Sequence, residues 1–201
     1  MNKDEERKLV EEARKNPEAF GKLFEIYYSK ILRYAIFRTG NVEIARDITA
    51  ETFYKAVKNL WQFRFLGKTF SAWLYRIAGN LIVDYFRHKK TESVILKSFL
   101  RQMKIENQIS IINIENEVIE DQEQLDKNKD YEEIKQALFK LPVLYQEVLV
   151  LRYIENYKIK EICEILNKKE GTVKSLISRG IGLLKLLMQP SSAISVKNGE
   201  Q

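Results

Sequence analysis

Within "NKKEGTVKSLISRG", residues 167–180, four cations (Lys168, Lys169, Lys174, Arg179) and three hydroxyls (Thr172, Ser175, Ser178) surround one acid, Glu170. Lysine and arginine donate to phosphate oxygens or to a guanine edge, and serine and threonine pair with either. A second cluster holds Trp61, Phe63, Phe65, Phe70, Trp73 and Tyr75, with Arg64, Lys68, Arg76, Arg87, Lys89 and Lys90 in or beside it. Aromatic rings interleaved with cations suit single-stranded nucleic acid, because bases lie on π faces while the backbone follows positive charge. A third pair, Asp47 and Glu51, puts two carboxylates four residues apart. Two carboxylates invite acid–base catalysis, but they have no partner histidine, phosphate-cradling glycine loop or metal-ligand cluster beside them. The lone Cys163 and lone His88 can form neither an internal disulfide nor a tetrahedral zinc site. These residues point to binding rather than turnover: no catalytic residue, cofactor, metal or small-molecule substrate is expected.

The charge balance agrees with that chemistry. Thirty-four Lys and Arg against 28 Asp and Glu leave a net +6, which favours polyanionic partners. The charge is uneven: residues 1–90 carry 18 basic and 11 acidic side chains, residues 91–129 carry 5 and 8, and residues 130–201 carry 11 and 9. The N-terminal stretch "MNKDEERKLVEEARKN" is charged throughout, without the apolar core of a secretory signal. No apolar run is long enough to span a bilayer. A cytoplasmic protein is expected.

Helices must position these clusters. Only 3 Pro and 8 Gly interrupt the chain, and apolar residues recur at spacings of 3 and 4, so the class is all-α. The spacing predicts helices over 3–14, 17–39, 42–60 and 70–88. Asn16-Pro17 is a start signal, and Thr39-Gly40-Asn41 a stop. In this register Trp73 and Leu74 are core, whereas residues 62–68 form a functional loop around Gly67. A second set is predicted over 130–140, 142–155, 158–166 and 170–188. The last two are separated by so few residues that they must cross steeply, as a helix-turn-helix does, with Asn167 tolerating a left-handed turn. Gly171 would permit close helix contact, and Cys163 fills a small apolar slot. The expected organisation is two small helical domains, 1–90 and 130–188, an acidic linker at 91–129, and a polar tail at 189–201. The linker's isoleucines could also dock or form a helix.

"EICEILNKKEGTVKSLISRGIGLLKLL" resembles the promoter-reading end of bacterial sigma factors of the extracytoplasmic-function (ECF) type, "GTVKS" being its specific part. Independently, "TFSAWLYRIAGNLIVDYFRHKK" and "ARDITAETFYKAVKNL" resemble two other motifs of that family, in the same order and spacing. The resemblance spans residues 17–90 and 130–188, about two thirds of the chain. Departures from the family pattern include Asn167 for a turn glycine, Lys169 for a frequent Ser, Cys163 for Ala, Ala50 for Gln, Gly79 for Arg, and Leu176 for an Arg. The last of these removes a cation from the expected DNA face.

The resemblance implies a dissociable promoter-specificity subunit of RNA polymerase, with a C-terminal domain that reads the −35 element and an N-terminal domain that binds core enzyme and opens the −10 element. Carried onto this sequence, −35 contacts fall to Lys169, Glu170, Gly171, Thr172, Lys174, Ser175, Ser178 and Arg179. The −10 contacts fall to Phe63, Arg64, Phe65, Lys68, Arg76, Asn80, Asp84 and Arg87. Asp47 and Glu51 would face the β′ clamp. Implied partners are core RNA polymerase through its β′ clamp and β flap, promoter DNA, and an anti-sigma factor that can hold the protein at the membrane. The linker, 114–126 in particular, would thread a polymerase channel later claimed by RNA. The alternative function is a stand-alone helix-turn-helix regulator with an N-terminal interaction domain, which accounts only for residues 130–188.

Overall fold

The computed structural model describes residues 2–65, 68–102 and 129–188. Gly67, the linker segment 114–126 and the tail 189–201 lie outside the described residues. The chain divides into two compact units, Met1–Asp121 and Gln122–Gln201. Every regular element among the described residues is helical, as the spacing predicts. None of these helices is long and apolar enough to cross a membrane.

In the first unit, α1 (Lys3–Ala13), α2 (Pro17–Thr39) and α3 (Val42–Asn59) lead through a 3-10 turn (Leu60–Gln62) to α4 (Phe70–Gln102). Three asparagines start the first three helices. Asn2 accepts from the Glu5 amide at 2.8 Å while Glu5 reaches back to the Asn2 amide at 2.9 Å, a reciprocal capping box. Asn16 accepts from Glu18, and Asn41 from Ile44. Gly40 ends α2 in the left-handed region, φ 69°, where a glycine carries no Cβ penalty. Leu23, Ile31 and Tyr34 of α2, Ala45, Phe53 and Ala56 of α3, and Phe70, Leu74, Tyr75 and Ile82 of α4 share the core.

The fourth helix does not stop near 88. It continues to Gln102, so the segment expected to open the linker at 91 begins as helix. The reason lies in what is missing: no Gly or Pro occurs from 80 to 102 to break it.

The second unit comprises α5 (Lys129–Lys140), α6 (Val143–Leu149), a π-helical turn (Val150–Ile154), α7 (Ile159–Leu166) and α8 (Glu170–Met188). Its core joins Leu138, Leu141, Val148, Leu149 and Leu176. The π turn, closed by the Glu155 amide on the Val150 carbonyl at 3.0 Å, interrupts what the periodicity reads as one helix over 142–155.

Candidate nucleic-acid interface

In the second unit, α7 and α8 are joined by Asn167, Lys168 and Lys169 alone. Asn167 is left-handed (φ 52°, ψ 47°), and both its amide and that of Lys168 return to the Cys163 carbonyl. The turn thus closes as the sequence suggests, with asparagine in the glycine role. From there α8 presents Glu170, Gly171, Thr172, Lys174, Ser175, Ser178 and Arg179 on its exposed side, after an exposed Lys169. Val173, Leu176 and Gly180 are buried on the other side. All eight residues expected at the −35 element are therefore exposed at one end of one helix.

Two expectations about this helix change. Leu176 is buried in the core, so its side chain is not a gap in the exposed face. The close approach lies at Gly180, where a Cβ would meet Leu149 at 3.3 Å, whereas a Cβ on Gly171 would meet nothing within 4 Å.

Electrostatically the helix start is a linked set. Lys174 and Glu170 pair at 2.7 Å. The hydrogen bond from Lys174, and then its charge, hold the Glu170 carboxyl below its ordinary range, and the same contacts raise the Lys174 ammonium. Cys163, half-buried near this end, has its thiol pushed up by desolvation first and by the Glu170 charge second.

In the first unit, the aromatic cluster forms one wall of a pocket of about 510 Å³. Phe63 and Trp73 line it together with Asn59, Gln62, Asn80 and Asp84. Ile77 and Leu81 add to the apolar lining and Lys55 to the polar one, so rings and aliphatic side chains share the pocket with amides, an ammonium and a carboxylate, groups that can pack on a planar ring and pair with its edge. Asn80 is exposed, Asp84 half-buried, and Asp84 pairs with the exposed Arg87 at 3.1 Å. Arg64 is exposed and donates to the Trp61 carbonyl, while Phe65, Lys68 and Arg76 are half-buried.

Phe63, at the start of the loop expected to be functional, is a buried ring. Only 5% exposed, it packs 4.9 Å from Trp73, 4.9 Å from Phe65 and 5.7 Å from Phe70, ring centre to ring centre. Burial against three rings wins over loop position, since each aromatic pair adds to the area removed from water. Its role is a pocket wall, and Trp73, read as core, shares that wall. The ring most available outside is Trp61, 66% exposed.

On α3, Asp47 is exposed, and Glu51 is half-buried and paired with Lys55 at 3.5 Å. Tyr54, 57% exposed and one turn beyond Glu51, continues that stripe. Sequence reasoning missed it, although the spacing 47, 51, 54 is the signal that finds it.

Two family models match the chain: "Sigma-70 region 2" over residues 23–92 and "Sigma-70, region 4" over residues 131–184. Among curated proteins it is similar to the ECF RNA polymerase sigma factor SigW of Bacillus subtilis, 33% identical over 87% of this chain and 91% of the relative. Among solved structures its fold is similar to that of CnrH in complex with the cytosolic domain of CnrY, with a TM-score of 0.64, 22% identity, and coverage of 91% of this chain and 96% of CnrH. It is also similar to the sigma factor RpoE of Bartonella quintana in complex with the anti-sigma factor NepR, with a TM-score of 0.59, 20% identity, and coverage of 86% and 98%.

Proposed function

Because the chain belongs to the ECF RNA polymerase sigma factors, we infer that its two units divide one task, the selection and opening of a promoter. It is a promoter-specificity subunit that binds core RNA polymerase, recognises −35 and −10 elements and promotes strand opening. It needs no catalytic group of its own. The observation that carries this reading is the presence in one chain of a helix-turn-helix with an exposed polar end on α8 and a separate aromatic-walled pocket beside α3.

The finer assignments follow from chemistry. Lys169 to Arg179 on the exposed end of α8 enter the major groove at −35, where cations and hydroxyls meet phosphates and base edges. An unpaired −10 base enters the pocket, stacks on the Phe63–Trp73 wall and meets Asn80 and Asp84 at its edge. Asp47 and Glu51, continued by Tyr54, form the docking stripe for the β′ clamp. An anti-sigma factor is the natural antagonist, since the similar sigma factor RpoE is found in complex with the anti-sigma factor NepR, and the chain acts in the cytoplasm with the polymerase.

Run-off transcription with purified core enzyme and a promoter library tests the whole reading. A sequence-specific transcript that depends on this chain is expected. Promoter binding by the chain alone, with no effect on core enzyme, would return the stand-alone regulator and leave residues 23–92 without a role.

A further inference from the structure

The segment that carries the pocket's two rings is in contact with α1, a helix that lies outside the matched residues 23–92. On α1, Glu6 is a carboxylate only 5% exposed. Its Oε2 accepts from the Phe70 amide at 3.1 Å, and its Oε1 accepts from the Ser71 amide at 3.1 Å and from the Tyr27 hydroxyl. These are the first two amides of α4, left without partners inside their own helix. Thr69 supplies the next two acceptors, its hydroxyl to Ala72 and its carbonyl to Trp73. A negative group at a helix start also opposes the helix dipole favourably.

The other end of the same loop is held by Arg14, just past the end of α1. Its guanidinium donates to the Phe63 carbonyl at 2.5 Å. Between the two anchors, the Arg7 guanidinium lies over the Phe65 ring, 5.7 Å from its centre. So Phe63 and Phe65 on one side, and Phe70 and Ser71 on the other, are each held by a side chain of α1 or of Arg14 just past its end. Phe63 and Trp73, the pocket wall, lie at or beside the anchored points.

We propose that α1 is a positioning element for promoter opening, with Glu6 and Arg14 presetting the loop so that the pocket is formed before DNA arrives. The proposal rests on the pocket receiving a −10 base. A loop ordered in advance spares the encounter the entropy of ordering it, which otherwise comes out of affinity. Glu6 and Arg14 touch no DNA in this scheme.

The test uses full-length chain assembled with core polymerase and a single-stranded −10 oligonucleotide, either intact or abasic at the captured position. The wild type is expected to prefer the intact strand. Arg14→Gln should lose about tenfold in affinity for the intact strand, the worth of one hydrogen bond to a charged donor, and most of the preference over the abasic one. Its affinity for core should stay at the wild-type level, and its unfolding temperature should fall by no more than the loss of one hydrogen bond allows. Arg14→Lys, which can still donate to the carbonyl, should recover most of the loss, and Glu6→Gln should weaken the preference as Arg14→Gln does. Wild-type affinity and preference in both Arg14→Gln and Glu6→Gln, whatever their unfolding temperatures, would overturn the proposal and leave α1 a packing helix. A wild type that binds intact and abasic strands equally would instead sink the pocket reading, and the proposal with it.

Discussion

On the exposed end of α8, Lys174 already has a partner. Glu170 holds it at 2.7 Å, so a phosphate must compete with a carboxylate for the same ammonium. Glu170→Gln should therefore raise affinity for non-specific duplex and steepen the log K against log salt line by about 0.9, the increment for one more phosphate contact. An unchanged slope would show that Lys174 faces a base edge or nothing. The pair is not a pH switch near neutrality. Glu170's carboxyl is lowered, so its contribution is present above the ordinary 4.5 and lost as pH falls through the lowered value. Lys174's ammonium is raised, so its contribution is present below 10.5 and lost as pH climbs through the raised value. In the pocket, residue identity and residue location make different predictions. Phe63→Ala empties a buried site and should destabilise the fold by about 3–5 kcal/mol, visible in urea unfolding. Asn80→Ala, exposed at the pocket edge, should leave unfolding unchanged and reduce permanganate reactivity of the −10 element in the polymerase complex. Equal reactivity in Asn80→Ala and the wild type would remove Asn80 from strand opening.

At the scale of elements, the α7–α8 turn depends on one left-handed residue. Asn167→Val puts a β-branched side chain at φ 52° and should cost about 1–2 kcal/mol, whereas Asn167→Gly should be near neutral. Gly171 is the opposite case, a helical glycine with open space around it. Gly171→Ala should stabilise the unit by about 0.5–1 kcal/mol in urea unfolding. A parallel loss of −35 binding would show that the glycine is kept for the approach of DNA rather than for the fold. Most of these elements are legible in sequence, because Asn16-Pro17, Gly40 and Asn167 are local signals that act within one turn. The exposed end of α8 is legible for the same reason. The extension of α4 was hidden because a helix without a breaker has no local mark where it should end. The π turn was hidden because Val150–Ile154 carry the same apolar spacing as a regular helix. The anchoring of the loop was hidden more deeply, since Glu6 and Phe70 are 64 residues apart. Its one local trace is Glu6 itself, an acid on the Glu6–Val10–Ala13 face that is buried.

At the scale of the molecule, two basic blocks flank residues 91–129, the one of the three stretches whose net charge is negative, in a chain of net +6. Residues 114–126 hold six of the eight acids of that stretch. If they occupy a polymerase channel as phosphates would, replacing them with a neutral Gly/Ser segment of equal length should alter the ratio of abortive to full-length RNA. Unchanged transcripts with stronger DNA binding in the absence of core would instead mean that the segment holds the free protein closed. The bond between Glu6 and the start of α4 also has a meaning in time. Ribosomes add roughly 5–20 residues per second, so the 64 residues separating Glu6 from Phe70 take roughly 3–13 s to appear. For that interval the carboxylate has been made and its amides have not. Asp47 and Glu51 leave the ribosome before the loop can be shaped at all. Position along the chain becomes an order of arrival, in which Asp47 and Glu51, the proposed docking pair, are synthesised before Phe70 and Ser71, whose amides the Glu6 carboxylate has been waiting for.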